Sequence, residues 1–374
     1  MSFKFNLSRR LLACGLSIGL MLFLPGLPAR ADRLVLAQVA ELSGQDVVAE
    51  NTAGARLWFD HLNADPGQPH HWELRPYDDR RDPARTLALV RQAVQDDGAL
   101  ALFGLRSTPS LNALAPVLDA MGIPLVAPFN GSGAIRGQAR NAFFLRGTYA
   151  DEAHRLIAQF DTMGLRRLAL VCQSDAFGQE GCAGFQAALH GHGLAPALTL
   201  SYDRNVQALE PVLAGLEKAK DLQAVMMACT PAVCARLVRQ LREAGLHQPV
   251  ALLSNANSQD FVSAVGPLGQ GVLVSQVMPY PFNQALPLVR EFMRLNSQRR
   301  EPVAQSYASL EGFAAARLLS EAVRRAGPHP GRESLIATLR NSRDLDLGGW
   351  VYQPSQGGYF TDITVLDARG RLLH

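Results

Sequence analysis

Residues 104–133 read GLRSTPSLNALAPVLDAMGIPLVAPFNGSG, and their order is strand end, turn, helix, strand, turn. The apolar run LALFG that leads in (residues 100–104) has the length of a buried strand. Ser107, Thr108 and Pro109 open a helix, because a hydroxyl suits an N-cap and proline is tolerated in a first turn. Leu111, Leu114, Ala115, Leu118 and Met121 form its apolar stripe, and Gly122 stops it. IPLVAP is the next strand and FNGSG a glycine-rich turn. The unit therefore sets two polar turns at the carboxyl ends of neighbouring strands, the edge where open α/β sheets bind ligands.

Working outward, the pattern repeats on both sides. RLVLAQVA is a strand closed by the turn ELSGQD, followed by helix AGARLWFDHLN and strand WELRPYD. Asp78-Asp79-Arg80-Arg81-Asp82-Pro83 reads as a solvated turn, and its flanking arginines argue against a metal site; Asp82 before Pro83 starts the next helix. NAFFLR adds a fifth strand, and the order β-α-β-α-β-α-β-β predicts a mostly parallel sheet. The series then restarts at ADEAHRLIAQFDTMG and runs through four further helices and five strands to GVLVSQV. Three helices follow, near 286–297, 304–325 and 332–341. A hairpin-like pair, GGWVYQP with YFTDITVLDARGR, is expected at the end. The fold class read from this is α/β, two doubly wound Rossmann-like lobes.

The first 31 residues read as an address. Lys4, Arg9 and Arg10 precede the apolar stretch Leu11–Leu24, and Ala29-Arg30-Ala31 is a small-residue cleavage site. The apolar run is too short to span a bilayer. Cys14 stands at the start of that run, out of place for lipidation, and Ser8-Arg9-Arg10-Leu11-Leu12 faintly matches a twin-arginine signal. Cleavage after Ala31 would export a 343-residue chain with 32 Lys+Arg against 33 Asp+Glu. That balance gives no footing for nucleic acid or an anionic membrane, and the length suits two cores.

An exported chain with two αβ lobes and facing polar turns resembles the type I periplasmic solute-binding proteins of ABC importers, in the leucine/isoleucine/valine-binding branch. ELSG, DDRRDP, GLRSTPS, IPLVAP, SDAFGQEG, LREAGL, GPLGQGVLVS and SYASLEGFAAARLL carry the resemblance in order, from about Leu34 to Leu366. It implies a three-strand hinge, with lobe I over 32–147 and 280–342 and lobe II over 148–279 and 343–374. It also implies capture of a small ligand by hinge closure and delivery to an inner-membrane permease, by a periplasmic monomer that is not an enzyme and needs no cofactor. A sensory module of the same fold, signalling through a membrane partner, is the alternative; a hydrolase using the cleft is a second one.

The ligand positions that the resemblance implies are Arg106, Ser107 and Thr108 after the third strand, then Phe129, Asn130, Gly131 and Ser132 after the fourth. In lobe II they are Phe177, Thr230, Ser254 and Asn255, and the first turn contributes from the region 45–48. Thr108 offers its hydroxyl at a helix start, where free amides favour an anion. Phe129 is bulky where small residues are usual. Ser254 and Asn255 stand where the acid that pairs with an amino group would fall, and neither is acidic; a buried ammonium without a partner costs several kcal/mol. The expectation is a small polar ligand other than a branched-chain amino acid.

Ser174-Asp175 has no histidine with a claim to join it, and His70-His71 and His190-Gly191-His192 lack a third metal ligand. Four cysteines, Cys172, Cys182, Cys229 and Cys234, fall in lobe II of an exported protein, where disulfides are permitted. Each of the pairs Cys172–Cys182 and Cys229–Cys234 joins a strand end to the start of the next helix and is the expected pairing. Cys172–Cys229, between neighbouring strands, is the competitor, and four buried thiols are the third case.

Overall fold

The computed structural model describes Met1 and residues 32–42, 46–205, 208–352 and 359–374. The export signal expected over 1–31 and Gln45 of the first turn lie outside the described residues.

The first sheet is built from β1 (Asp32–Ala40), β2 (His70–Asp78), β3 (Ala101–Phe103), β4 (Leu125–Val126) and β5 (Ala142–Phe143). Between them run α1 (Asp46–Asn63), α2 (Pro83–Gln95), α3 (Thr108–Leu118) and the short α4 (Ala134–Gln138). The strand order is β2-β1-β3-β4-β5, all parallel. The chain then forms α5 (Tyr149–Thr162), β6 (Leu168–Gln173), α6 (Ala176–Gly191), β7 (Leu198–Tyr202) and α7 (Glu210–Lys218). It continues through β8 (Ala224–Ala228), α8 (Pro231–Glu243), β9 (Val250–Leu252), α9 (Gln259–Val265) and β10 (Val272–Gln276). These strands stand in the same order, second-first-third-fourth-fifth. Each sheet therefore has a switch point between its first and third strands, where the crossovers diverge and leave a crevice.

The last part returns to the first sheet. α10 (Pro287–Ser297), α11 (Tyr307–Ala326) and α12 (Arg332–Asn341) share one core with β1, β2 and β3 through Phe292, Phe313, Leu318, Leu335 and Leu339. β11 (Leu345–Asp346) and β12 (Val351–Tyr352) pair with each other, and Leu345, Leu347 and Tyr352 enter that same core. Two expectations are corrected here. Residues 343–352 pack with the first lobe, because their apolar side chains find its core. Among the described residues GGWVYQP does not pair with the following segment: β13 (Asp362–Leu366) runs antiparallel to β10, and β14 (Leu372–Leu373) pairs with β13. The second sheet thus has seven strands.

Two glycines fix how α11 lies on α1. A Cβ on Gly54 would sit 1.8 Å from the Ser309 carbonyl oxygen, and one on Gly312 1.9 Å from that of Asn51. The helix backbones touch there, which only glycine allows. Asp82 caps α2 and Ser107 caps α3, where the sequence places helix starts, and side chains also cap α5 (Thr148 with Asp151), α6 (Asp175) and α11 (Ser306 with Ser309). None of the described helices is long and apolar enough to cross a membrane.

Candidate functional site

The carboxyl edges of both sheets face one cleft, part of it open to solvent, at the place where doubly wound sheets bind ligands. On the first-lobe wall stand Arg106, Ser107, Thr108 and Pro109 from the β3–α3 turn, Asn130 from the β4 turn, and Glu41, Val48 and Arg81. Facing them are Gln173, Asp175 and Phe177 of the β6–α6 turn, with Tyr149, Arg204, Thr230 and Asn255.

Arg106 is the central group. It is half-buried, its Nη2 donates to the Asn255 carbonyl across the cleft at 3.2 Å, and its guanidinium lies 5.3 Å from the Phe129 ring. Nη1 is buried without a hydrogen-bond partner, and Arg106 makes no ion pair among the described residues. Burial, with Arg81 and Arg146 nearby, pulls its pKa down to about 10. The Asn255 amide donates from Nδ2 to the Cys229 carbonyl at 3.0 Å, while its Oδ1 is buried and unpaired. A lone donor on a cation and a lone acceptor thus meet in one cleft, and buried polar atoms in native proteins rarely stay unpaired.

The rim carries two ion pairs. Arg81 pairs with Glu41, and Arg204 Nη1 lies 3.4 Å from Asp175 Oδ2. Burial lowers the Arg81 pKa, Glu41 opposes that, and the Arg204 charge adds to it. Arg80 and Arg81 both have left-handed backbone, φ 51° and 58°. Non-glycine residues adopt that conformation at a cost of about 1–3 kcal/mol each. Asp79 holds the loop: it accepts from the Arg81 amide at 2.9 Å and from Thr86 Oγ1 at 2.7 Å, with Ser110 Oγ at 3.4 Å. Asp79 is 1% exposed, so the expected solvated turn is solvated at Arg80 and Asp82 and corrected at Asp79. Its carboxylate replaces water with loop amides and hydroxyls, and the strained turn aims Arg81 into the cleft.

The sequence-predicted positions divide. Arg106, Ser107, Thr108, Asn130, Phe177, Thr230 and Asn255 line the cleft together. Thr230 is the N-cap residue of α8 but its side chain makes no cap bond, which leaves the hydroxyl available. Asn130 lines the wall while serving the loop: Nδ2 donates to Thr108 Oγ1 at 2.9 Å and to the Arg106 carbonyl, and Oδ1 accepts from the Ser132 amide at 2.7 Å. Phe129, Gly131, Ser132 and Ser254 do not line it. Phe129 lies behind, between the Arg106 and Arg146 guanidinium groups. Gly131 gives room to Tyr149, whose ring a Cβ would meet at 2.7 Å. Ser132 donates to Glu180 at 2.7 Å. Ser254 donates to Glu152 Oε1 at 3.0 Å and sits against Arg146.

That last contact belongs to a buried cluster at the hinge. Arg146 faces Glu152 of α5 at 3.4 Å and Glu311 of α11 at 3.5 Å, and Glu152 also accepts from the Ser254 amide at 2.7 Å and from Ser275 Oγ at 2.5 Å. Two carboxylates share one guanidinium. Burial raises Glu311 to about 7 against the pull of Arg146, and the Glu152 charge adds to the rise.

Sequence reasoning missed Glu41, Arg81, Tyr149, Gln173, Asp175 and Arg204. Asp175 carried a signal, since an aspartate before A-F-G-Q is an N-cap, and its carboxylate accepts from the Gly178 amide at 3.1 Å at the ligand edge. The disulfides are Cys172–Cys182 and Cys229–Cys234, with Cα separations of 6.0 and 5.5 Å. Both adjoin cleft turns. Among the described residues no group of three His, Cys, Asp or Glu could hold a metal, and His192 pairs with Asp161 at 3.1 Å.

The family model for periplasmic binding proteins matches residues 39–361. A substrate-binding periplasmic protein from Ralstonia solanacearum is similar at 30% identity over 91% of this chain and 99% of its own, with a TM-score of 0.83. A possible leucine/isoleucine/valine-binding protein from Rhodopirellula baltica gives 24%, 93%, 98% and 0.85. A branched-chain amino acid ABC transporter protein from Thermus thermophilus, with bound valine, gives 16%, 91%, 95% and 0.78. A comparison with curated proteins finds no match. The expectation against a branched-chain amino acid is corrected by these findings: same-fold proteins described as binding such ligands recur, one with valine in place. Its physical premise, a cleft without a carboxylate, also fails, because Glu41 and Asp175 line the cleft. The chain belongs to the type I periplasmic binding proteins, a family of solute-binding and not catalytic proteins, and shares its fold with members described as leucine/isoleucine/valine-binding.

Proposed function

We propose that this protein captures an amino acid with an apolar side chain, the branched-chain ones foremost, and delivers it to an ABC import permease. The observation that carries this is the unpartnered pair of Arg106 Nη1 and Asn255 Oδ1 in a cleft closed by two lobes. The ligand carboxylate takes Arg106 with the Ser107–Thr108 turn. The ammonium takes Asn255 Oδ1 and Asp175, and Val48 and Phe177 receive the side chain. The lobes are 32–147 with 280–352, and 148–279 with 359–374. The chain is exported to the periplasm and cleaved before Asp32, and N-terminal sequencing of the exported form reads this directly. Calorimetric titration with leucine, isoleucine and valine tests the ligand. One-to-one saturable binding of at least one is expected, and absence of heat with all three together with unaltered melting overturns the reading.

A further inference from the structure

Glu180 lies outside the cleft lining, on the second turn of α6, yet it is a point where the second lobe grips the first. Its two carboxylate oxygens take three donors from one first-lobe loop. Oε2 accepts from Ser132 Oγ at 2.7 Å, and Oε1 accepts from the Gly133 amide and from the Ala134 amide at 3.1 Å. Ser132 is fully buried with the contact made, so in the closed form its hydroxyl has Glu180 and not water as its partner.

Both ends of this contact run on into the ligand cleft. On the first-lobe side, the Ser132 amide donates to Asn130 Oδ1, and Asn130 Nδ2 donates to Thr108 Oγ1. On the second-lobe side, Glu180 is one helical turn after Phe177 and two residues before Cys182, whose disulfide to Cys172 ties that turn to the end of β6. Asp175, Phe177 and Glu180 therefore move as one body.

We infer that Glu180 is a positioning residue, a latch that forms across the lobes on closure and holds the cleft shut without touching the ligand. A charge-assisted bond to backbone amides and a hydroxyl is strong when made and absent when the lobes part, so it adds to the closed state alone and slows ligand escape. The latch uses the two-lobe reading and no ligand identity.

The test is the Glu180→Ala protein with Ser132→Ala as a second, milder variant, each checked for native circular dichroism. Spin labels at Arg91 and Lys218, exposed positions on opposite lobes, report the inter-lobe distance in ligand-free protein. Glu180→Ala is expected to move the distribution to longer distances, Ser132→Ala to move it partway, and the double variant to match Glu180→Ala. With leucine as the probe, koff is expected to rise five- to tenfold with kon unchanged. Wild-type distances in the ligand-free Glu180→Ala protein overturn the latch whatever leucine does, whereas failure of leucine to bind the wild type overturns the ligand assignment and leaves the distance measurement to decide the latch.

Discussion

Arg106 is a cation held where cations are expensive. Burial opposes its charge, Arg81 and Arg146 oppose it further, and no carboxylate of the described chain pairs with it. A protein that retains such a group gains when an anion arrives, since a hydrogen bond to a charged group is worth about 1.5–3 kcal/mol. Arg106→Leu is expected to weaken leucine binding roughly ten- to 150-fold by calorimetry, with the fold intact by circular dichroism; unaltered affinity removes Arg106 from the site. Glu311 presents the opposite case. Its neighbours are Arg146, Glu152 and Arg106, and its folded pKa is raised from 4.5 to about 7. A raised carboxyl pKa means that the folded state binds the extra proton. Its contribution is thus full below about 4.5 and is lost as pH climbs to about 7. Glu311→Gln is expected to flatten that fall in the urea midpoint and to raise the midpoint near pH 8. A midpoint lowered at that pH means that the second carboxylate stabilises Arg146.

At the scale of elements, contacts between backbones and bonds between turns decide more than composition does. Gly312 lets α11 rest on α1 with no side chain between them, so Gly312→Ala is expected to cost more than about 3 kcal/mol, beyond ordinary overpacking, because the obstacle is a carbonyl and not a movable side chain. Opening Cys172–Cys182 by a double alanine substitution is expected to cost ~2–3 kcal/mol in denaturant titration and to weaken ligand binding, because Asp175 and Phe177 lie inside the loop that the disulfide closes. The caps of α2 and α3, the five parallel strands of each sheet and the local disulfides were legible in the sequence, since each is written in a few adjacent residues: Ser107 before Thr108-Pro109, Asp82 before Pro83, Cys172 ten residues from Cys182. The site was legible in half. Thr108, Phe177, Thr230 and Asn255 could be placed because they follow strand ends. Glu41, Arg81 and Arg204 could not, because ion pairs between separate turns depend on how the turns pack, and Arg81 depends on a left-handed backbone that no residue type announces. Residues 343–352 were misplaced for a related reason: two-residue strands carry too short a pattern to show which core receives them.

For the molecule as a whole, neither lobe is a continuous piece of chain. α10, α11 and α12 complete the first core after the chain has built the second sheet, and β13 completes the second sheet after that. A lobe cannot shed its late segments without disturbing the other, and the buried cluster of Arg146, Glu152 and Glu311 bridges the two at the hinge. One cooperative unfolding transition is therefore expected. A ligand held between the lobes binds only when both are folded, so it stabilises the whole chain by mass action, by about 2.7 kcal/mol at a hundredfold excess over Kd. With an unfolding entropy of roughly 2.1 cal/mol/K per residue, the 343 residues from Asp32 to His374 should melt about 4 °C higher. Differential scanning calorimetry with leucine, isoleucine or valine measures this. A single peak that moves up by that amount shows ligand and both lobes acting as one body. Two peaks of which only one moves show that the ligand is held by one lobe, against the closed cleft argued from Arg106 and Asn255.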